Sequence, residues 1–171
     1  MKIIKLSAIS FLALTTIIAT SCSKKDSEDL SSTTTISAKI DGKATQFTKN
    51  VIAFTGDANG IEFTNVEGKD ANGNTLSVTI SGALVAGKTY SPATSQSGES
   101  PIILYSTVDD VNFSNSYQDK SDVVSITLTA VSGNRIQGTF RGELSSLLNA
   151  NDPTFKSKSV TEGTFTATLP K

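Results

Sequence analysis

Residues 124–144 read VSITLTAVSGNRIQGTFRGEL. Val124, Ile126, Leu128 and Ala130 alternate with Ser125, Thr127 and Thr129, and after Ser132-Gly133-Asn134 the residues Ile136, Gly138, Phe140, Gly142 and Leu144 again take every second position. A period of two sends one set of side chains to a core and the other to solvent, as in a half-buried strand. The glycine-bearing break between the runs has the chemistry of a hairpin turn. Two antiparallel strands are therefore predicted, and the rest of the chain repeats the same device.

Downstream, Gly163-Thr164-Phe165 leads into Ala167 and Leu169 as a last strand. Upstream, Ile36, Ala38 and Ile40 alternate with Ser37 and Lys39 before Asp41-Gly42 turns the chain into 44–48. A short strand over 51–55, a turn at Asp57-Ala58-Asn59-Gly60 and a strand from Ile61 to Val66 follow. A second turn, Asp70-Ala71-Asn72-Gly73-Asn74, precedes Leu76, Val78 and Ile80. Residues 87–92 read as a short strand ending at Pro92, 93–100 as loop, 102–108 as a central strand and 109–122 as a polar loop; 144–149 could form one turn of helix. Eight to ten short strands joined by short turns predict an all-β domain, an antiparallel sandwich or flattened meander barrel, over 34–171. Its outer faces are expected to be dominated by Ser and Thr.

The first thirty residues follow a different logic. Lys2 and Lys5 precede an apolar run over 6–19, too short for the roughly 20 residues that span a bilayer, and small residues Ala19, Thr20 and Ser21 stand before Cys22, the only cysteine. This is the layout of a signal peptide over 1–21 that is removed. It resembles the signal and acylation site of bacterial lipoproteins, and the CSKKDSED stretch, with Asp26, Glu28 and Asp29, resembles the acidic leaders of surface lipoproteins of the Bacteroidetes. The resemblance implies acylation at Cys22, a membrane attachment by lipid, and placement in the outer membrane facing the cell exterior. An ordinary secretory signal with an incidental cysteine is the competing reading; such signals end in an A-x-A-like site that is not evident here. Residues 22–33 read as the acylated cysteine and a polar, flexible tether.

Three strand motifs, Ala38 to Lys43 (AKIDGK), Ile136 to Leu144 (IQGTFRGEL) and Thr161 to Phe165 (TEGTF), resemble those of small Bacteroidetes lipoproteins that have no established activity, with Phe47 as the aromatic after the first hairpin. This resemblance implies an all-β domain and carries over no reaction.

Composition narrows the chemistry. Of 15 basic and 16 acidic residues, the signal removes Lys2 and Lys5, leaving 13 against 16 and a net charge of −3. Nucleic-acid binding, which requires a clustered basic face, is not expected. There is no histidine, so Ser-His and Cys-His nucleophilic systems, histidine bases and the usual zinc sites all lack their central residue. No disulfide can form within the domain, and no cofactor motif is present. The carboxylate pair of a glycoside hydrolase, a serine–lysine arrangement and an oxygen-only calcium site survive as chemistries.

Two stretches stand out as candidate sites. Asp70, Asn72 and Asn74 have the D-x-N-x-N spacing that sets alternate oxygens around calcium, but the chain enters a strand where further ligands would stand, so a plain turn is the stronger reading. The second is the 109–122 loop with its neighbour Tyr105: Phe113 and Tyr117 beside Asp119 and other acids and amides could stack on and hydrogen-bond to a glycan or an envelope protein. The opposing reading folds the rings onto the core. The expected function is a noncatalytic surface lipoprotein acting as a binding or accessory module; a structural envelope component without a small-molecule ligand is the alternative, and a carboxylate-based hydrolase a third.

Overall fold

The computed structural model describes residues 34–94, 100–117, 124–146 and 156–171. Eleven strands occur among them: β1 (Thr35–Ile40), β2 (Lys43–Phe47), β3 (Lys49–Ala58), β4 (Ile61–Lys69), β5 (Thr75–Ser81), β6 (Thr89–Tyr90), β7 (Ile102–Ser106), β8 (Asn112–Ser114), β9 (Ser125–Ser132), β10 (Arg135–Ser146) and β11 (Ser157–Thr168). They form one antiparallel sheet in the order β2-β1-β11-β10-β8-β7-β5-β4-β3, with β9 and β6 branching from β10. The sheet curls until it is nearly closed and barrel-like. The all-β reading of the sequence is thus what the chain adopts.

The turns explain the register. Asp41 and Gly42, and likewise Asn59 and Gly60, have positive φ at both central residues, as a type I′ hairpin demands, and Asp and Asn tolerate that region better than most residues with a Cβ. Each fixes its hairpin: Ile40 faces Lys43 and Ala58 faces Ile61. Apolar side chains at alternate positions then fall on one side. Phe47, Leu76, Ile103, Ile126, Leu144 and Val160 are fully buried, each side chain contributing roughly 1.5–3 kcal/mol by leaving water.

Strand β10 is the hub. Its first half pairs with β9, from Arg135–Ser132 to Arg141–Ser125, whereas Ser145 and Ser146 pair with β8. Between these halves lies Gly142, where a Cβ would come within 2.8 Å of Val124 Cγ2; the missing side chain lets the flanking strand pass close. On its other edge β10 pairs with β11, aligning the two Gly-Thr-Phe tripeptides head to tail, Gly138 against Phe165 and Phe140 against Gly163.

Several local expectations change. Strand β3 runs for ten residues rather than over 51–55, because the two-residue Asn59-Gly60 turn lets pairing continue to Ala58. The 109–122 loop contains strand β8 and a 3-10 turn, Asn115–Tyr117. Buried Asn115 replaces a strand partner there, accepting from Ile103 N (2.7 Å) and donating to Pro101 O (2.9 Å). Val108 leaves the strand expected over 102–108 and is exposed in the turn after β7. Instead of turning into helix at Leu144, the chain stays extended through Ser146; 147–149 lie outside the described residues. The outer face is Ser- and Thr-rich over β9 to β11, but over β3 and β4 it carries Ile52, Phe54 and Phe63.

Candidate functional site

The hairpin turn at Asp41-Gly42 and the turn at 70–74 flank an open cleft of about 640 Å³. Its walls include Asp41, Lys43, Gln46, Asn72 and Lys158, and Tyr105 lies in its floor. Chain distant in sequence meets here: Lys158 and Asp41 are separated by 117 positions, yet they form an ion pair because β1 and β11 are neighbours.

Asp41 is held by two donors. Lys158 Nζ binds one carboxylate oxygen and the backbone N–H of Ser159 binds the other at 3.0 Å. Partial burial opposes ionisation, but the Lys158 hydrogen bond, the Ser159 N–H and the lysine charge together outweigh it, and the carboxyl sits below its ordinary value. Lys158 also lies 5.7 Å from the centroid of the Phe113 ring, a cation–π contact that ties the ion pair to the core.

The Asp70 carboxylate is consumed by its own turn. Oδ1 accepts from the N–H groups of Asn72 (2.8 Å) and Asn74 (2.9 Å), and Oδ2 accepts from Asn74 Nδ2 (2.8 Å). The remaining amide oxygen, Asn74 Oδ1, accepts from Val108 N at 3.1 Å and so pins the β7–β8 turn to the β4–β5 turn. The D-x-N-x-N spacing that suggested calcium is the spacing of an Asx turn, with its oxygens directed at N–H donors. Among the described residues no cluster of three or more acids is arranged around a metal position.

Tyr105 is only 7% exposed. Its ring packs edge-on to Phe47 at 6.5 Å and tilted to Phe113 at 6.3 Å. Burial, and then the charges of Asp70 and Asp41, push the phenol's pKa up, which places the hydroxyl within the field of both cleft acids and keeps it protonated. The hydroxyls of Tyr90 and Tyr105 differ: Tyr90 Oη donates to Ala83 O at 2.6 Å and accepts from Val85 N at 2.9 Å, whereas the Tyr105 hydroxyl has no hydrogen-bond partner among the described residues. The Tyr105 ring is buried while its hydroxyl opens to the cleft.

No family model, curated protein or solved structure matches the chain. The reading of the cleft rests on its own side chains.

Those side chains regroup the candidates. Tyr105, Asp70, Asn72 and Asn74, named from the sequence for two unrelated reasons, share one cleft. Phe113 does not join them as a stacking surface: it is 2% exposed, because β8 turns its ring into the core against Tyr105. Tyr117 ends the 3-10 turn Asn115–Tyr117; its side chain, like Asp119 and Cys22, lies outside the described residues. Asp41, Gln46 and Lys158 carry no motif. Only the Asp-Gly turn signal marked the position of Asp41, and nothing local marks Lys158 as its partner.

As chemistry, the cleft offers neutral and charged hydrogen-bonding groups over an aromatic floor. It does not offer a general acid from these two carboxyls: Asp41 is held ionised, and Asp70 already accepts three hydrogen bonds. A glycosidase acid needs a raised pKa and a free oxygen facing the scissile bond.

Proposed function

We propose that this protein is a noncatalytic lipoprotein, acylated at Cys22 and displayed on the outer face of the outer membrane, whose domain binds an extracellular glycan in the cleft between the 41–42 and 70–74 turns. The observation that carries the binding reading is the Tyr105 hydroxyl, which opens to the cleft, stays protonated and has no hydrogen-bond partner among the described residues. Sugar hydroxyls both donate and accept, so they match a phenol, the Gln46 and Asn72 amides and the Asp41 carboxylate on the same walls. The lipoprotein assignment rests on the resemblance of residues 1–30 to bacterial lipoprotein leaders. The noncatalytic assignment is supported by the absence of histidine and by the engagement of both cleft carboxylates.

The test is titration of the full chain with envelope and host glycans by calorimetry. Binding that weakens about tenfold in Tyr105→Phe and in Gln46→Ala, with the fold intact, is the expected result; binding unchanged in both variants overturns the cleft as the site. Protease treatment of intact cells checks the placement, since a protected domain contradicts display on the outer face. The alternative, a structural envelope component without a small-molecule ligand, is favoured by the burial of the Phe113 ring and predicts no glycan binding at all.

A further inference from the structure

Among the described residues strand β3 hydrogen-bonds to β4 alone, so its other edge pairs with no described strand. The Asn59-Gly60 turn makes Ala58 and Ile61 a hydrogen-bonded pair. Counting back by the antiparallel alternation, Gly56, Phe54 and Ile52 bond to β4, whereas the N–H and C=O groups of Asp57, Thr55 and Ala53 point away from the sheet. Natural edges are guarded by proline, charge, bulges or shortness. The stretch Ile52-Ala-Phe-Thr55 has none of these; the irregularity that does occur in β3 lies between Lys49 and Ile52, with Asn50 at φ 51°. The outer face of this edge is apolar: Ile52 is 49% and Phe54 39% exposed, and Phe54 meets Phe63 edge-on at 6.2 Å.

The strand is also self-complementary. Laid antiparallel against a copy of itself about a two-fold axis at Ala53, it sets Ala53 opposite Ala53 in the hydrogen-bonding register. It sets Ile52 opposite Phe54 twice, so the four exposed apolar side chains close over one another. Moving the axis to Phe54 or to Thr55 sets Gly56 against Ile52 or Phe54 and leaves Asp57 against Val51 or Ala53. Of these three registers, only the one at Ala53 sets Ile52 against Phe54 on both sides. We propose that a second copy of this chain pairs with the first, edge to edge through β3, forming a two-fold dimer with a continuous sheet.

The experiment uses the full chain in its own envelope. Two tagged copies, one Ile52→Cys and the other Phe54→Cys, are co-expressed, oxidised and resolved without reductant. Opposed Cα atoms of a non-hydrogen-bonded pair lie about 4.5 Å apart, within disulfide reach, so a mixed dimer is expected, well in excess of the dimer formed by Phe54→Cys alone. Sedimentation of the purified full chain is expected to show a dimer that Phe54→Lys weakens at least tenfold at an unchanged unfolding midpoint; Ile52→Lys serves if Phe54→Lys shifts that midpoint. A chain monomeric at every concentration, a dimer indifferent to both lysines, or a cross-link from position 54 to a different protein overturns the proposal.

Discussion

The Phe140 ring lies across Gly163, its strand partner, in the space a side chain there would fill: a Cβ on Gly163 would stand 2.5 Å from Phe140 Cδ2. The converse holds two pairs along the ladder, where a Cβ on Gly138 would stand 2.5 Å from the Phe165 ring. The two rings lie 6.3 Å apart. Gly163→Ala is therefore expected to destabilise by about 1–3 kcal/mol through overpacking, measured by denaturant unfolding. In Phe140→Leu the same substitution should cost less, because the ring no longer fills that space; equal losses in both backgrounds would place the crowding on the Phe140 carbonyl, 2.6 Å from that Cβ, and not on its ring.

Tyr105 and Phe113 touch, but their substitutions should differ sharply. Phe113→Ala leaves a cavity in the core and is expected to cost about 3–5 kcal/mol. Tyr105→Phe removes a hydroxyl that the described residues do not engage, and it should change stability by no more than about 0.5 kcal/mol. A large loss in Tyr105→Phe would reveal a structural partner for that hydroxyl.

Acid should weaken the Asp41–Lys158 contact in a defined direction. The folded-state pKa of Asp41 lies below its ordinary 3.8, so the unfolded chain takes up this proton first as pH falls. The contribution is complete above the unfolded value and disappears as pH drops through the folded one. Asp41→Asn is expected to lower stability near neutrality and to flatten the stability–pH curve below about pH 4, followed by thermal melts across that range.

The Asx turn makes two forecasts. Asp70→Ala strips the Asn72 and Asn74 N–H groups of their acceptor and is expected to cost about 1–3 kcal/mol. Calcium should leave the melting temperature of the natural chain unchanged, since the oxygens that would bind it already face N–H donors. A calcium-dependent rise of several degrees would overturn the turn assignment.

How much of this was legible in the chain depends on range. Strand identity was, because the alternation from Val124 to Leu144 and the Asp-Gly and Asn-Gly turns act over a few residues. Strand β8 was not: three residues are too few to show a period, and Phe113 looked like a loop aromatic until its pairing with Tyr105 turned it inward. The length of β3 was hidden for the opposite reason, since its apolar residues Ile52 and Phe54 face outward, where alternation predicts polar ones. Half of the cleft could be named from spacing and ring chemistry, through Asp70, Asn72, Asn74 and Tyr105. The rest, Asp41 with Lys158, exists only because β1 and β11 pair, and no local pattern encodes that contact.

The pairing of β1 with β11 also sets a schedule. Ser37 and Thr164, hydrogen-bonded through their hydroxyls at 2.9 Å, are 127 positions apart, so the first strand of the domain to be synthesised waits for the last before one of its edges is filled. A sheet assembled from such distant partners folds slowly, since the chain must close a long loop before the contact stabilises it. Until β11 arrives, β1 and one edge of β10 remain open. The chain is thus kept from completing its barrel while it is still being made.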